Sequence, residues 1–343
     1  MAGSESDLPF VSVVMPVRNE ADHIGSSLGA VLEQDYPVDK IEVIVVDGVS
    51  EDATSETVRR LAETARTEAR PAVTLISNPS KVVPVALNRA LTRARGEVIV
   101  RVDGHAEIAS DYVRRCVETL ERTGASNVGG VQRAVGRTLI GRAIAIATSS
   151  RFGAGDARFR YAKKEGWVDT VYLGAFPKSI FDQVGVFDED LTRNQDDEFN
   201  LRVRRAGGRI FLDPAIRSVY RPREALGDVW RQYFEYGLYK LLVMRKHRRV
   251  ASWRHLVPSA FVVALLASLV ASIATRRPIL SLIVAGPYLA ADVIASVVAG
   301  RREPACLPAL LLVFPIVHLA YGLGLIAGLW RWRHLPRQQT GGG

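Results

Sequence analysis

The stretch Phe10-Val11-Ser12-Val13-Val14-Met15-Pro16-Val17-Arg18-Asn19-Glu20 decides the fold. Its β-rich run, Phe10 to Met15, is closed by Pro16 and opens onto polar residues. A run apolar at nearly every position reads as a strand buried on both faces, and such strands belong to parallel sheets covered by helices. Working outward, Asn19 and Asp22 are cap candidates for a helix over Ala21–Gln34, which stops before Pro37. Ile41–Val46 reads as a second buried strand, ended by Asp47-Gly48, and Ser50 or Asp52 can cap a helix over Ala53–Glu68. Val73–Ser77 is a third strand, and Pro84–Arg95 is helical with Gly96 at its C′ position. Val98–Val102 is a fourth strand ending in Asp103-Gly104-His105, and a helix follows from about Asp111 to Arg122. This alternation predicts an α/β fold on a mostly parallel sheet. Ligands bind such sheets at the carboxyl ends of strands. Three of those ends carry polar residues here: Pro16 to Glu20, Asp47, and Asp103 to His105. Neither a Gly-x-Gly-x-x-Gly after the first strand nor a P-loop is present, which removes support for dinucleotide and P-loop chemistry.

Beyond residue 124, Gly129-Gly130-Val131 and Gly153-Ala154-Gly155 read as loop glycines. Val171–Phe176 reads as a strand and Phe187-Asp188-Glu189 as a turn. Asn194-Gln195-Asp196-Asp197-Glu198 opens a helix that ends at Gly207-Gly208. Acids at a helix N-terminus are ordinarily caps and dipole partners. Three in a row exceed what one cap needs, so the spacing leaves a structural and a catalytic role both open.

The chain has 343 residues, 48% of them hydrophobic and 24% charged, which excludes disorder. Two cysteines, Cys116 and Cys306, exclude a disulfide framework. Three apolar runs close the chain: about Leu256–Ala274, Ile279–Ala299 and Cys306–Trp330. Each reaches the ~20 residues that cross ~30 Å of hydrocarbon. Asp292 is the only acid within a run. Before the first run stand Arg245, Lys246, Arg248, Arg249 and Arg254, a cluster suited to the cytoplasmic side and anionic headgroups. The net charge of +9 therefore sits beside a membrane and argues against a nucleic-acid partner. Met1 to Pro9 is polar and acidic, unlike a secretory leader, so residues 1–255 are expected in the cytosol. Trp230, Tyr233, Phe234, Tyr236 and Tyr239, set among Arg231, Lys240 and Arg245, suit a helix in the headgroup zone or one packed on a core.

Taken in order, these motifs resemble family-2, GT-A-type glycosyltransferases, and a membrane-anchored branch of them. The resemblance covers about residues 10–255, and the apolar tail is in keeping with it. Val11–Glu20 resembles the family's first strand and nucleotide loop, and Val45–Thr54 its second-strand Asp-rich signature. Arg101-Val102-Asp103-Gly104-His105-Ala106 stands where the family has an Asp-x-Asp metal motif. Arg193–Glu198 stands where it has the Glu-Asp pair that supplies the base, and Tyr233–Lys240 with Arg245-Lys246-His247 also matches the branch. The implied organisation is a GT-A, Rossmann-like domain over 1–227 and an amphipathic membrane-interface segment over 228–255. A transmembrane region of about three helices over 256–330 and a basic, flexible tail over 331–343 complete it.

The implied activity is inverting transfer from a nucleotide-sugar, expected to be a UDP-sugar, to a lipid-linked, polyprenyl-linked or growing glycan in polysaccharide or cell-envelope biosynthesis. It would take place on the cytoplasmic face of a multi-pass membrane protein among membrane lipids, with a homo-oligomer left open. Pro16, Arg18, Glu20, Asp47, Lys81 and Asp103 are implied on the nucleotide-sugar, with Arg101 also able to meet anionic oxygens. Asn78 and Asn88 flank Lys81 where the family places polar contacts. Asp103 and His105 are implied for a divalent metal; with His105 in place of the second aspartate, Mn²⁺ suits the site better than Mg²⁺. Alternatively, His105 hydrogen-bonds a phosphate. Counting back from Arg202 puts the general base at Asp196, with Asp197 the alternative and Gln195 in place of the usual glutamate. Gly174, Ala175 and Gln195 are implied on the acceptor side. A polyprenyl-phosphate sugar synthase, which needs little general base, and a catalytically weak nucleotide-sugar-binding scaffold are the competing readings.

Overall fold

The computed structural model describes residues 7–248 and 253–333. The N-terminal residues through Ser6, Arg249, and the tail from His334 lie outside them. In chain order the elements are β1 (Val11–Val17), α1 (Ile24–Leu32), β2 (Ile41–Asp47), α2 (Thr54–Thr67), β3 (Ala72–Ser77), α3 (Val83–Leu91) and β4 (Val98–Arg101). Next come β5 (Ala106–Ile108), α4 (Tyr112–Thr123), β6 (Asn127–Ala134), α5 (Leu139–Thr148), α6 (Arg151–Ala154), β7 (Gly166–Val168), β8 (Tyr172–Pro177) and α7 (Ser179–Val184). The last are α8 (Gln195–Arg205), β9 (Ile210–Tyr220), α9 (Leu226–Lys246), α10 (Val257–Thr275), α11 (Ile279–Gly300) and α12 (Leu307–Arg331). They form two compact units, Met1–Arg133 with Ala157–Arg221, and Ala134–Asp156 with Pro222–Gly343.

The first unit is built on a sheet in the order β3-β2-β1-β4-β8-β6-β9-β5, with β7 paired to β9. The strands β3, β2, β1 and β4 are parallel, in the register Val11↔Ile41 and Val11↔Val98. β8 runs antiparallel to β4, and β6 antiparallel to β8. Alternate residues of a strand face opposite sides. Val11, Val13 and Met15 accordingly pack with Ile24 and Leu28 of α1 on one face. Val14 packs with Leu87 of α3 and Phe199 of α8 on the other. Coverage on both faces is the physical reason β1 is apolar almost throughout.

Several boundaries differ from expectation. β1 continues through Pro16, which costs no ladder bond to β4 because that pairing ends at Val14. α1 starts at Ile24, and neither Asn19 nor Asp22 caps it; the N-cap is His23, without a side-chain bond. Asn19 is instead spent across the loops, its NH donating to Ser50 Oγ and its Oδ1 accepting from Glu51 NH. α3 ends at Leu91, not Arg95, because the NH groups of Arg95 and Gly96 are taken by Glu42 Oε1 and Ser12 Oγ. Gly96 is no C′ residue: a Cβ there would lie 2.4 Å from the backbone N of Ser12. Gly129 and Gly130 are in strand β6 rather than a loop, and Gly153 is in α6. At Gly130 the reason is close approach, since a Cβ would sit 1.6 Å from the carbonyl oxygen of Ile216 in β9.

The second unit groups α5, α6 and α9 to α12. Backbones of α9 and α12 touch: a Cβ on Gly237 would lie 2.1 Å from Tyr321 O, and one on Gly324 2.0 Å from Phe234 O. α9 buries Val229, Tyr233, Leu238, Leu241 and Leu242. Val257–Thr275, Ile279–Gly300 and Pro304–Arg331 are each long and apolar enough to cross a membrane. Half of the apolar window of the third is buried, against 17% and 11% for the others, so α12 is the helix the unit is built around. Asp292 is turned inward beside Ser296, and His318 is held between Tyr288 OH and the carbonyl oxygen of Phe152.

These packing differences give opposite expectations for two glycines. Gly130→Ala forces a methyl into the β9 backbone and should lower stability by about 1–3 kcal/mol or more. Gly29→Ala, within α1 and with nothing within 4 Å of its Cβ position, should raise it by roughly 0.5–1 kcal/mol. Thermal unfolding of the two variants in detergent checks both signs.

Candidate active site

The carboxyl ends of β1, β2 and β4 share one rim because these strands are parallel. Asp47, at the end of β2, is buried. Its carboxylate accepts from Ser50 NH, Ser50 Oγ and Ser55 Oγ, which ties the loop to the first turn of α2. Next to it, Gly48 leaves room for the stem of Arg18, whose Cβ would be 3.2 Å from a Cβ at 48. Arg18 and Lys81 approach the same exposed carboxylate, Glu51, at 3.9 and 3.3 Å. Two cations from different loops are thus brought together. Lys81 holds a left-handed backbone, φ 61°. Asn78 and Asn88 are spent on the protein itself: Asn78 Nδ2 donates to Val82 O, and Asn88 bonds the backbone of Phe187 through both its side-chain atoms.

Around the end of β4 the groups are more tightly set. Arg101 is buried, and its Nε donates to Asp103 Oδ1 at 2.8 Å. Burial opposes its charge, but the charges of Asp103 and then Asp196 outweigh it, so the guanidinium pKa stands above its ordinary value. One cation therefore links the strand end to the first turn of α8. His105 Nδ1 lies 2.8 Å from Glu20 Oε1. In α8, the N-cap Asn194 is left-handed, Gln195 is buried, and Asp196 and Asp197 are half-buried. Asp196 Oδ1 accepts from the NH of Asp197. Glu198 is buried against Arg202, whose guanidinium also donates to the carbonyl oxygens of Val184 and Val186, a structural brace.

Gly174 (φ 95°) follows Leu173 (φ 62°) at a register shift between β8 and β6. A Cβ at Gly174 would meet Phe176 and Asn127, and Ala175 has no exposure at all. Packing within the protein thus accounts for small residues at both positions. Two groups that feel the charge of Asp103 carry no motif and are found only in the fold: the buried hydroxyls of Tyr112 and Tyr172. Burial, and then the charge of Asp103, push the Tyr172 hydroxyl well above its usual range, so it is a donor at working pH.

No cluster of three or more His, Cys, Asp or Glu side chains fit to hold a metal occurs among the described residues. The carboxylate of Asp103 and the imidazole of His105 suit a divalent cation whose other ligands come from a substrate, as with cations shared with phosphates. The donor set fits such an ion.

The glycosyl transferase family 2 sequence profile matches residues 12–185. The succinoglycan biosynthesis protein ExoA of Rhizobium meliloti (strain 1021) is 30% identical over 93% of this chain and 93% of its own. A dolichyl N-acetyl-alpha-D-glucosaminyl phosphate 3-beta-D-2,3-diacetamido-2,3-dideoxy-beta-D-glucuronosyltransferase of Methanococcus voltae is 27% identical over 93% of this chain and 98% of its own. In fold, the chain is similar to the mannosyltransferase PcManGT from Pyrobaculum calidifontis, solved in complex with GDP-Man and Mn²⁺. That likeness has a TM-score of 0.61 at 23% identity and covers 96% of this chain and 90% of the other. The profile match and the near-full-length relative agree with the rim of strand ends: the chain belongs to glycosyl transferase family 2.

Proposed function

We propose that the chain is an inverting, divalent-metal-dependent glycosyltransferase that passes a sugar from a nucleotide-sugar, a UDP-sugar first, to a lipid-linked or growing glycan. The observation that carries this reading is the buried Arg101, whose Nε donates to Asp103 Oδ1 and whose charge is also favoured by that of Asp196. It gathers a donor-side carboxylate and a base-side carboxylate around one centre. Residues 1–227 would be the catalytic domain on the cytoplasmic face, 228–255 the interfacial segment and 256–330 the anchor. Three apolar helices of spanning length on the same chain support an acceptor carried in lipid. So do the names of the relatives, one in succinoglycan biosynthesis and one acting on a dolichyl phosphate-linked sugar.

In this reaction the acceptor hydroxyl oxygen forms a bond to the anomeric carbon while the bond from that carbon to the diphosphate oxygen breaks. The electron pair leaves with the nucleoside diphosphate, and the hydroxyl proton passes to Asp196. A single displacement inverts the anomeric centre. Asp103 and His105 would hold a divalent cation, which would supply charge neutralisation at the leaving diphosphate; the PcManGT complex, solved with Mn²⁺, supports that ion. Arg18 and Lys81 add positive charge on the nucleotide side, Pro16, Glu20 and Asp47 shape that side, and Gln195 with the Gly174-Ala175 backbone borders the acceptor.

Three outcomes test the reading. Asp196→Asn should lower turnover ~10²–10⁴-fold with donor binding retained, the usual loss for a general base, and Asp197→Asn should do less. Equal, small losses in a radiolabel transfer assay would instead favour a lipid phosphate as acceptor. Asp103→Asn, which keeps the shape beside Arg101, should abolish the metal dependence of nucleotide-sugar binding by calorimetry. The full chain should remain with membranes through carbonate washing; its release would remove the proposed anchor.

A further inference from the structure

The imidazole of His105 is oriented by one hydrogen bond, one ring contact and one missing side chain. Glu20 Oε1 is 2.8 Å from its Nδ1, and the ring edge meets Tyr220 with centroids 5.6 Å apart. Glu20 is itself anchored by its backbone: its NH donates to Thr54 Oγ1, and its carbonyl oxygen accepts from the NH groups of His23 and Ile24 at the start of α1. The residue between Asp103 and His105 is Gly104, and a Cβ there would come within 3.0 Å of Glu20 Cγ and Val17 Cγ1. The missing side chain is what lets Glu20 cross from the β1 loop to His105.

We propose that Glu20 is a positioning residue that sets His105 to bind the divalent cation through Nε2. This rests on the reading that a cation bridges the protein and the donor's diphosphate. An ionised carboxylate only accepts hydrogen bonds, so the Nδ1 it contacts carries the proton. The neutral ring then bears its lone pair on Nε2, the arrangement by which carboxylates orient metal-binding histidines and raise their basicity. Asp103 is braced in the same way, with Arg101 Nε on its Oδ1. Each metal-side group thus has a charged partner behind it. On the metal side Glu20 acts through His105.

The test uses the full chain in detergent with Mn²⁺ as the probe, together with UDP or, separately, GDP. Electron paramagnetic resonance measures affinity from the signal of free Mn²⁺, and electron spin echo modulation detects a directly bound imidazole nitrogen. The expected result is nitrogen modulation in the unaltered chain that is lost in His105→Asp while Mn²⁺ remains bound. Glu20→Ala should weaken Mn²⁺ binding ~10–100-fold and diminish the nitrogen signal. Glu20→Gln, whose amide oxygen still accepts from Nδ1, should restore much of both. The unfolding midpoint should be unchanged in these variants. Mn²⁺ bound with no nitrogen modulation, or Glu20→Ala behaving as the unaltered chain, overturns this proposal and leaves the metal reading standing. Absence of Mn²⁺ binding overturns both.

Discussion

A guanidinium buried at the end of a central strand is the constraint on which the site depends. Arg101 has a side chain 9% exposed, and a charge so removed from water is tolerated only with compensating charge and hydrogen bonds close by. Asp103 supplies the contact, and Asp196 adds its charge from the first turn of α8. The strand end and the helix start are held in one electrostatic group as a result. A carboxylate lost from this group leaves a buried cation under-compensated.

The rim around this centre is assembled from loops that bond to one another rather than to solvent. Asp47 holds Ser50 and Ser55, Asn19 holds Ser50 and Glu51, and Asp52 receives the NH groups of Ala21 and Thr54. Polar residues at these positions carry two duties, fixing the loops and presenting charge. Arg18 and Lys81 meet at Glu51 only because those loops are so fixed.

The antiparallel extension of the sheet contributes in another way. β8 leaves its regular path at Leu173 and Gly174, two left-handed residues at a register shift against β6. Left-handed conformation at Leu173 costs free energy that the surrounding packing must offset, a condition often met at functional sites. Just before it stands Tyr172, whose buried hydroxyl feels the charge of Asp103.

Much of the fold was legible along the chain because strands covered on both faces must be apolar nearly everywhere. Val11–Val17, Ile41–Asp47 and Val98–Arg101 announce themselves by that continuity, as do the three long apolar helices. The acids and histidine at the strand ends were visible for the same reason, since polar residues interrupt such runs where ligands bind. Of the antiparallel strands β8 was legible, as Val171–Phe176, while β5, β6, β7 and β9 were not. Gly129 and Gly130 read as a loop, yet they sit in β6 because β9 passes too close for a side chain, a fact of partner distance that no local pattern records. The start of α1 was misplaced because Asn19, a cap candidate, is drawn into contacts across loops. Which residues would serve near Asp103 was legible only in part. Sequence order alone determined that Asp103, His105 and Asp196 stand at element ends; only the tertiary structure decided that the charge of Asp196 bears on Arg101 and that Glu20 reaches His105, because contacts between residues some 85 or more positions apart exist only once the sheet has formed.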